Sequence, residues 1–129
     1  MKRILSFIAV FILAAPMFAR EYSFEKDILY KGRPDAYTEK MCRLDIAYEK
    51  GAEGRPVIVW FHGGGLTKGK KGTPAPLQKD GAVIVGVGYR FVSEVSIEDT
   101  LDDAAAAVDW VLKNITSYGG DLSKVYLAG

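Results

Sequence analysis

Two short runs of β-branched and aromatic residues, at positions 57–61 and 82–87, constrain the fold more than any other feature of the sequence. Each run is continuously apolar, which is typical of a strand buried on both faces of a parallel sheet. Parallel neighbours require a crossover connection. The joining segment carries Pro74 and Pro76, so we expect it to hold at most a brief helix at residues 75–79. The two runs predict an α/β fold with a mostly parallel sheet.

Three further strands are predicted around this centre. Residues 22–30 and 43–48 alternate between apolar and polar side chains, which favours half-exposed strands near a sheet edge. Residues 33–35, Arg-Pro-Asp, favour a turn between them. Residues 124–128 form another short apolar run and predict a buried strand.

A long amphipathic helix is predicted for residues 97–117. Ser96 followed by Asp99 resembles a capping box at its start, and Gly119 with Gly120 supplies a left-handed stop at its end. We expect one face of the helix to pack on the sheet. The apolar residues on that face are Ile97, Leu101, Ala104, Ala105, Val108, Leu112 and Ile115.

The charge balance and the cysteine count exclude several classes of function. Lys and Arg total 17 against 16 Asp and Glu, which gives no reason to expect nucleic acid or an anionic membrane surface as partner. Cys42 is the only cysteine and His62 the only histidine, so the chain can build neither an internal disulfide nor a four-ligand zinc site. We expect no metal and no cofactor.

The first 19 residues are typical of a bacterial-type signal peptide. Lys2 and Arg3 precede an apolar run at residues 4–15, which Pro16 ends, and cleavage after Ala19 fits best. The apolar run is shorter than the roughly 18–20 residues that span a bilayer, so we do not expect a membrane anchor. The pattern predicts an exported protein, periplasmic or secreted, whose mature domain begins at residue 20.

The motif that carries chemistry is His62-Gly63-Gly64-Gly65, directly after the buried run. Glycines here let the backbone turn sharply and point N–H groups into a cleft. Such donors stabilise the oxyanion that forms in acyl transfer. We expect Gly63 and Gly64 to supply them, with side chains excluded because they would block the approach. His62 is expected to brace the loop and Gly65 to serve its turn.

Residues 57–67, VIVWFHGGGLT, resemble the oxyanion-loop strand of the HGGG-type α/β-hydrolase esterases, which include hormone-sensitive-lipase-like enzymes and bacterial carbohydrate esterases. Three shorter segments resemble the same family: Cys42 to Ile46, Gly88-Tyr89-Arg90, and Tyr118 to Asp121. The similarity implies an α/β-hydrolase fold and serine-dependent hydrolysis of a small-molecule or carbohydrate ester with a short acyl group. Arg90 is expected to pair with Asp102 or Asp103 in a structural ion pair.

The resemblance also identifies Gly129 as the first glycine of the nucleophile motif Gly-x-Ser-x-Gly. That motif does not occur within residues 1–129. In the family the base follows the serine in the chain, whereas His62 precedes Gly129. We therefore expect the serine, the acid and the base beyond residue 129. Residues 20–129 would then be the N-terminal part of the hydrolase domain, inactive alone, with the strand at 124–128 beside that at 57–61.

There are three alternatives to an esterase. A serine peptidase of the same fold, and a non-catalytic hydrolase-like binding module, both stay open. A nucleotide site is disfavoured: Gly64 to Lys71 nearly matches GxxxxGK[ST], but Lys71 replaces the required hydroxyl and Pro74 breaks the helix that should hold the phosphates. The lysines after the glycines are expected to form a solvated loop: Lys68, Lys70 and Lys71.

Overall fold

The computed structural model describes residues 20–32 and 35–129. The predicted signal peptide at residues 1–19, with its cleavage site after Ala19, lies outside the described residues, as do Arg33 and Pro34 of the predicted turn. Within the described ranges, no helix is long and apolar enough to cross a membrane.

Five strands are described: β1 (Tyr22–Leu29), β2 (Arg43–Glu49), β3 (Arg55–Phe61), β4 (Val83–Val87) and β5 (Gly120–Ala128). They form one sheet in the order β1-β2-β4-β3-β5. β1 and β2 pair antiparallel, as do β2 and β4, whereas β4, β3 and β5 run parallel. The predicted α/β fold is confirmed, and β5 lies beside β3 as expected. The prediction of a buried strand at residues 124–128 is wrong, because β5 is an edge strand on which Tyr126 and Leu127 are exposed.

β4 is the centre of the sheet, and all of its residues are buried, which confirms the predicted two-sided burial. β3 differs. Val57 and Val59 are fully buried, but Ile58 and Trp60 are only partly covered. The reason is that the described residues cover the second face of β3 with only a small cluster that reaches Leu77. The prediction of two-sided burial is therefore wrong for β3.

The helical elements are α1 (Ala36–Met41), a 3-10 helix (Ala75–Leu77), α2 (Ile97–Asn114) and a second 3-10 helix (Ile115–Tyr118). The predicted capping box of α2 is confirmed, because Ser96 and Asp99 bind each other's backbone N–H groups. Gly119 ends the second 3-10 helix in the left-handed conformation, with φ of 83°. The β3–β4 crossover holds only a brief helix, as predicted.

α1 is not predicted by the sequence patterns. Asp35 caps its start, since its Oδ1 accepts a hydrogen bond from the Thr38 N–H at 2.8 Å. A helix of six residues is too short to show a helical period, so the side-chain cap carries the only signal. Cys42, at the end of this helix, is fully buried.

The face of α2 that packs on the sheet is not the predicted one. Its buried residues are Thr100, Asp103, Ala107 and Val111. Four residues of the predicted face are exposed instead, namely Ile97 (43%), Leu101 (62%), Leu112 (48%) and Ala105, whereas Ile115 is fully buried as predicted. The physical reason is the ion pair of Asp103, which turns a polar residue inward; apolar periodicity cannot reveal such a residue.

Asp103 is completely buried and binds two positively charged side chains. The Arg90 Nε lies 2.9 Å from its Oδ2 and the Arg90 Nη2 lies 2.8 Å from its Oδ1, while Lys31 Nζ lies 2.7 Å from Oδ1. Burial alone would raise the pKa of Asp103, but the hydrogen bonds from Arg90 and Lys31 outweigh it and lower that pKa. The predicted pairing of Arg90 is thus with Asp103, and it fixes α2 against the end of β4.

Candidate active site

The glycine loop, residues 62–69, begins where β3 ends at Phe61. Gly129 follows the carboxyl end of the neighbouring strand β5. A Cβ atom on Gly129 would lie 2.6 Å from the Phe61 carbonyl oxygen, so only glycine fits this close approach. The structure therefore brings the glycine loop and Gly129, the predicted first glycine of the nucleophile motif, together at one end of the sheet.

The N–H groups of Gly63 and Gly64 donate to no acceptor within residues 20–32 and 35–129. The carbonyl oxygens of the same two residues, in contrast, are engaged. The Gly63 oxygen lies 2.8 Å from His62 Nδ1, and the Gly64 oxygen accepts from the Thr67 N–H at 3.3 Å and from its hydroxyl at 3.2 Å. A loop with engaged carbonyls and unused N–H donors is suited to bind negative charge.

Close backbone packing requires glycine at two positions of the loop. Gly64 has φ of 131°, and a Cβ there would lie 2.0 Å from the Lys68 carbonyl oxygen. Gly69 has φ of 110°, and a Cβ there would lie 2.5 Å from the Gly63 oxygen. A side chain at Gly64 would thus collide with the loop itself, and the expectation that it would block substrate approach is wrong. Gly65, with φ of 62°, lies in the turn.

His62, the first residue of the loop, packs against Tyr89. Their rings are stacked, with centroids 4.5 Å apart and planes 10° apart. The Tyr89 hydroxyl donates to the His62 carbonyl oxygen at 2.5 Å, and burial raises the pKa of Tyr89. Phe91 packs edge-on against both rings. His62 therefore contacts the rest of the loop through its ring, while its backbone carbonyl is bound by Tyr89.

A cavity of about 260 Å³ opens between the ends of β3 and β5, the glycine loop and the first turns of α2. Its mostly apolar lining includes Phe61, Leu66, Leu101 and Ala104, and it also reaches His62, Tyr89, Thr100 and Gly129. Gly63 and Gly64 do not line it. The cavity can hold a small apolar group next to Gly129.

Lys71, just after the loop, is not a freely solvated lysine. Its Nζ lies 2.7 Å from Asp27 Oδ1 and 2.7 Å from Asp45 Oδ1. Burial would lower the pKa of Lys71, but the hydrogen bonds to the two carboxylates raise it. Only Lys68 and Lys70 are exposed as expected. Across the described part of the chain, no group of three or more His, Cys, Asp or Glu side chains could hold a metal ion.

Residues 44–129, which include β2 to β5, the glycine loop and Gly129, match the BD-FAE family. The chain belongs to the BD-FAE family. One curated relative of this BD-FAE chain is carboxylesterase NlhH of Mycobacterium tuberculosis, 38% identical over 79 residues that cover 57% of the chain and 25% of NlhH. Another is phenmedipham hydrolase of Pseudarthrobacter oxydans, 33% identical over 86 residues, or 58% of the chain and 17% of the hydrolase. The chain spans about a quarter of the length of NlhH, or less for the second relative.

Solved esterase structures are similar to the BD-FAE chain in fold. Est2 of Thermogutta terrifontis is 27% identical with a TM-score of 0.62, and the match covers 81% of this chain and 39% of Est2. Esterase B of Lactobacillus rhamnosis is 23% identical with a TM-score of 0.70, covering 82% and 34% of the two chains. These similarities confirm the α/β-hydrolase fold and the resemblance to carboxylesterases.

Two features of the BD-FAE site are missed by the sequence reasoning. Gly69 lies outside the His-Gly-Gly-Gly motif, and its only sequence signal is the disfavoured match of residues 64–71 to GxxxxGK[ST]. Tyr89 is noted only as part of the Gly-Tyr-Arg segment. No sequence pattern indicates that its hydroxyl reaches the His62 carbonyl, because that contact joins two strand ends that are far apart in the chain.

Proposed function

We propose that the full-length protein is a serine-dependent carboxylic ester hydrolase and that this chain supplies its oxyanion hole. The observation that carries the proposal is the pair of consecutive unused N–H groups of Gly63 and Gly64, at the strand end that also holds Gly129. The carboxylesterase and esterase names of the relatives support the same chemistry.

In the proposed reaction, a serine that follows Gly129 attacks the ester carbonyl carbon, and the carbonyl π electrons move onto oxygen. The N–H groups of Gly63 and Gly64, together with the N–H after the serine, donate to that oxyanion. Loss of one such donor commonly costs about 10²–10³ in kcat. His62 is not proposed as the base, because in this fold the base follows the serine in the chain. The acid and base come from beyond residue 129.

The apolar cavity beside Gly129 supports a short acyl group as the part of the substrate bound here. Its volume of about 260 Å³ suits a few carbon atoms rather than a long chain. Est2, a structural relative, has been solved with butyrate and with propionate bound. We therefore assign short acyl esters of small alcohols or carbohydrates as the substrate class.

The test is a substrate panel on the purified full-length protein. We expect turnover of p-nitrophenyl acetate and butyrate, weaker turnover of the laurate ester, and none of a peptidyl p-nitroanilide. Preference for the anilide would indicate a serine peptidase, and no turnover of any substrate would indicate a binding module. Residues 20–129 alone should not turn over the acetate, because they contain no nucleophile–base pair.

A further inference from the structure

Two successive peptide groups of the glycine loop are each held at their carbonyl end. The first joins His62 to Gly63; its carbonyl oxygen accepts a hydrogen bond from the Tyr89 hydroxyl at 2.5 Å. The N–H of the same peptide group belongs to Gly63. Because a peptide group is planar, fixing the carbonyl direction also fixes the direction in which the Gly63 N–H points.

The second peptide group joins Gly63 to Gly64. Its carbonyl oxygen lies 2.8 Å from His62 Nδ1. A carbonyl oxygen only accepts, so the proton of this hydrogen bond is on Nδ1. The N–H at the other end of this group belongs to Gly64. Both proposed oxyanion donors are therefore oriented by a ring that binds the opposite end of their own peptide group.

The two rings also fix each other. They stack with centroids 4.5 Å apart, and the Tyr89 side chain is almost fully buried, with 3% of its surface exposed. Phe91 contacts Tyr89 edge-on with centroids 6.0 Å apart. This packing and burial hold the Tyr89 ring in place, with its hydroxyl directed at the His62 carbonyl oxygen.

We infer that Tyr89 is a positioning residue of the oxyanion hole, an assignment that rests on the proposed esterase function. Its hydroxyl does two things to the Gly63 donor. It holds the peptide plane before substrate arrives, so no reorganisation is needed when charge develops. It also polarises the amide, since hydrogen bonds in a chain strengthen one another, and makes the Gly63 N–H a stronger donor.

The first test is Tyr89→Phe in the full-length protein, which keeps the stacked ring and removes only the hydroxyl. We expect kcat on p-nitrophenyl acetate to fall about tenfold with KM within about twofold, less than the 10²–10³ lost with a whole donor. The inhibition constant of a trifluoromethyl ketone, whose adduct carries an oxyanion, should rise by the same factor. Unchanged kcat and unchanged inhibition would overturn the assignment.

Tyr22→Phe is the matched control. The Tyr22 hydroxyl also donates to a backbone carbonyl, that of Ala82, at 2.9 Å, but at the opposite end of β4 from the glycine loop. The two variants lose the same kind of contact and should lose similar stability. If Tyr22→Phe lowers kcat as much as Tyr89→Phe does, the effect is one of general stability and the assignment fails.

A spectroscopic readout separates this inference from the proposed function. In protein labelled with ¹⁵N-glycine, Tyr89→Phe should move the Gly63 amide resonance upfield, because its peptide group loses polarisation at the carbonyl. A Gly63 resonance that stays in place would overturn the assignment whatever the activity. If the resonance shifts but the protein hydrolyses no ester, the proposed function is wrong. The Tyr89 contact would then be demonstrated, but its role in positioning an oxyanion donor would be wrong as well.

Discussion

Asp103 and Arg90 meet in a two-point ion pair in which the carboxylate has no exposed surface, with Nη2 2.8 Å from Oδ1 and Nε 2.9 Å from Oδ2. The pair joins the middle of α2 to the chain just after β4. Tyr89 precedes Arg90, so the same ion pair also holds the segment after β4 that contacts the glycine loop. The stability of this pair and the geometry of the site are therefore linked through adjacent residues.

Asp103→Asn should destabilise the full-length protein by about 3–5 kcal/mol, because it leaves the Arg90 guanidinium buried without a counter-charge. Asp102→Asn is the control. Asp102 binds the same Lys31 at 2.6 Å, but 69% of its side chain is exposed, so its loss should cost less than about 1 kcal/mol. Urea unfolding measures both. Equal effects of the two substitutions would contradict the structural role of the Arg90 pair.

Asp103 should also make the protein sensitive to acid. Its folded-state pKa is lowered below the usual 3.8 by Arg90 and Lys31, against the effect of burial. A lowered carboxyl pKa stabilises the fold at pH above 3.8 and loses this contribution as the pH falls through the folded value. We expect the free energy of unfolding to drop below pH 4 more steeply in wild type than in Asp103→Asn. Parallel pH profiles would disprove the linkage.

The strands and the position of the glycine loop could be predicted because each leaves a local signal. Continuous apolar runs identified β4 and the neighbouring β3, and the glycines after β3 identified the loop. The orientation of α2 is not predicted, because apolar periodicity does not show that Asp103, although expected to pair with Arg90, is buried and points inward. The Tyr89 contact was hidden for the same reason: a hydrogen bond to a carbonyl has no sequence pattern.

Gly64→Ala should lower kcat by about 10²-fold in the full-length protein, which corresponds to one displaced oxyanion donor. The added Cβ would lie 2.0 Å from the Lys68 carbonyl oxygen, so the loop must shift. KM for a short ester should change little, because the donors act on charge that develops during reaction. Gly54→Ala is the control: its φ is also positive, at 64°, but nothing lies within 4 Å of the new Cβ. Comparable kcat losses in both variants would contradict the proposed role of the glycine loop in binding the oxyanion.

Cys42 should be unreactive in the folded protein. It is fully buried, and burial raises the pKa of its thiol to about 11. At pH 8, a disulfide reagent such as DTNB should give the same thiol count for wild type and Cys42→Ala, with a difference of one only after unfolding in urea. Ser117→Cys, at an exposed position, should react at once. Fast reaction of Cys42 in the folded protein would show that the junction of α1 and β2 is accessible to the reagent.

Residues 20–129 produced alone should self-associate. They expose large apolar side chains on α2 and on the edge strand β5, including Leu101, Leu112, Tyr126 and Leu127. Sedimentation velocity should detect oligomers that Leu112→Lys with Leu127→Lys reduces. Ser117→Lys with Ser123→Lys adds the same charge at exposed polar positions and should have less effect. A monomer with a cooperative unfolding transition would contradict this prediction.

The order of the strands has a consequence for folding kinetics. β1 and β2 are joined by a short stretch of chain, whereas Val57 of β3 pairs with Val125 of β5 across more than half of it. Contacts between residues distant in sequence form slowly, because the entropy of loop closure is lost before the contact is gained. We therefore expect β5 to dock last. Gly129 then reaches the glycine loop only in the final step, and a partly folded chain has no site at which an ester could react.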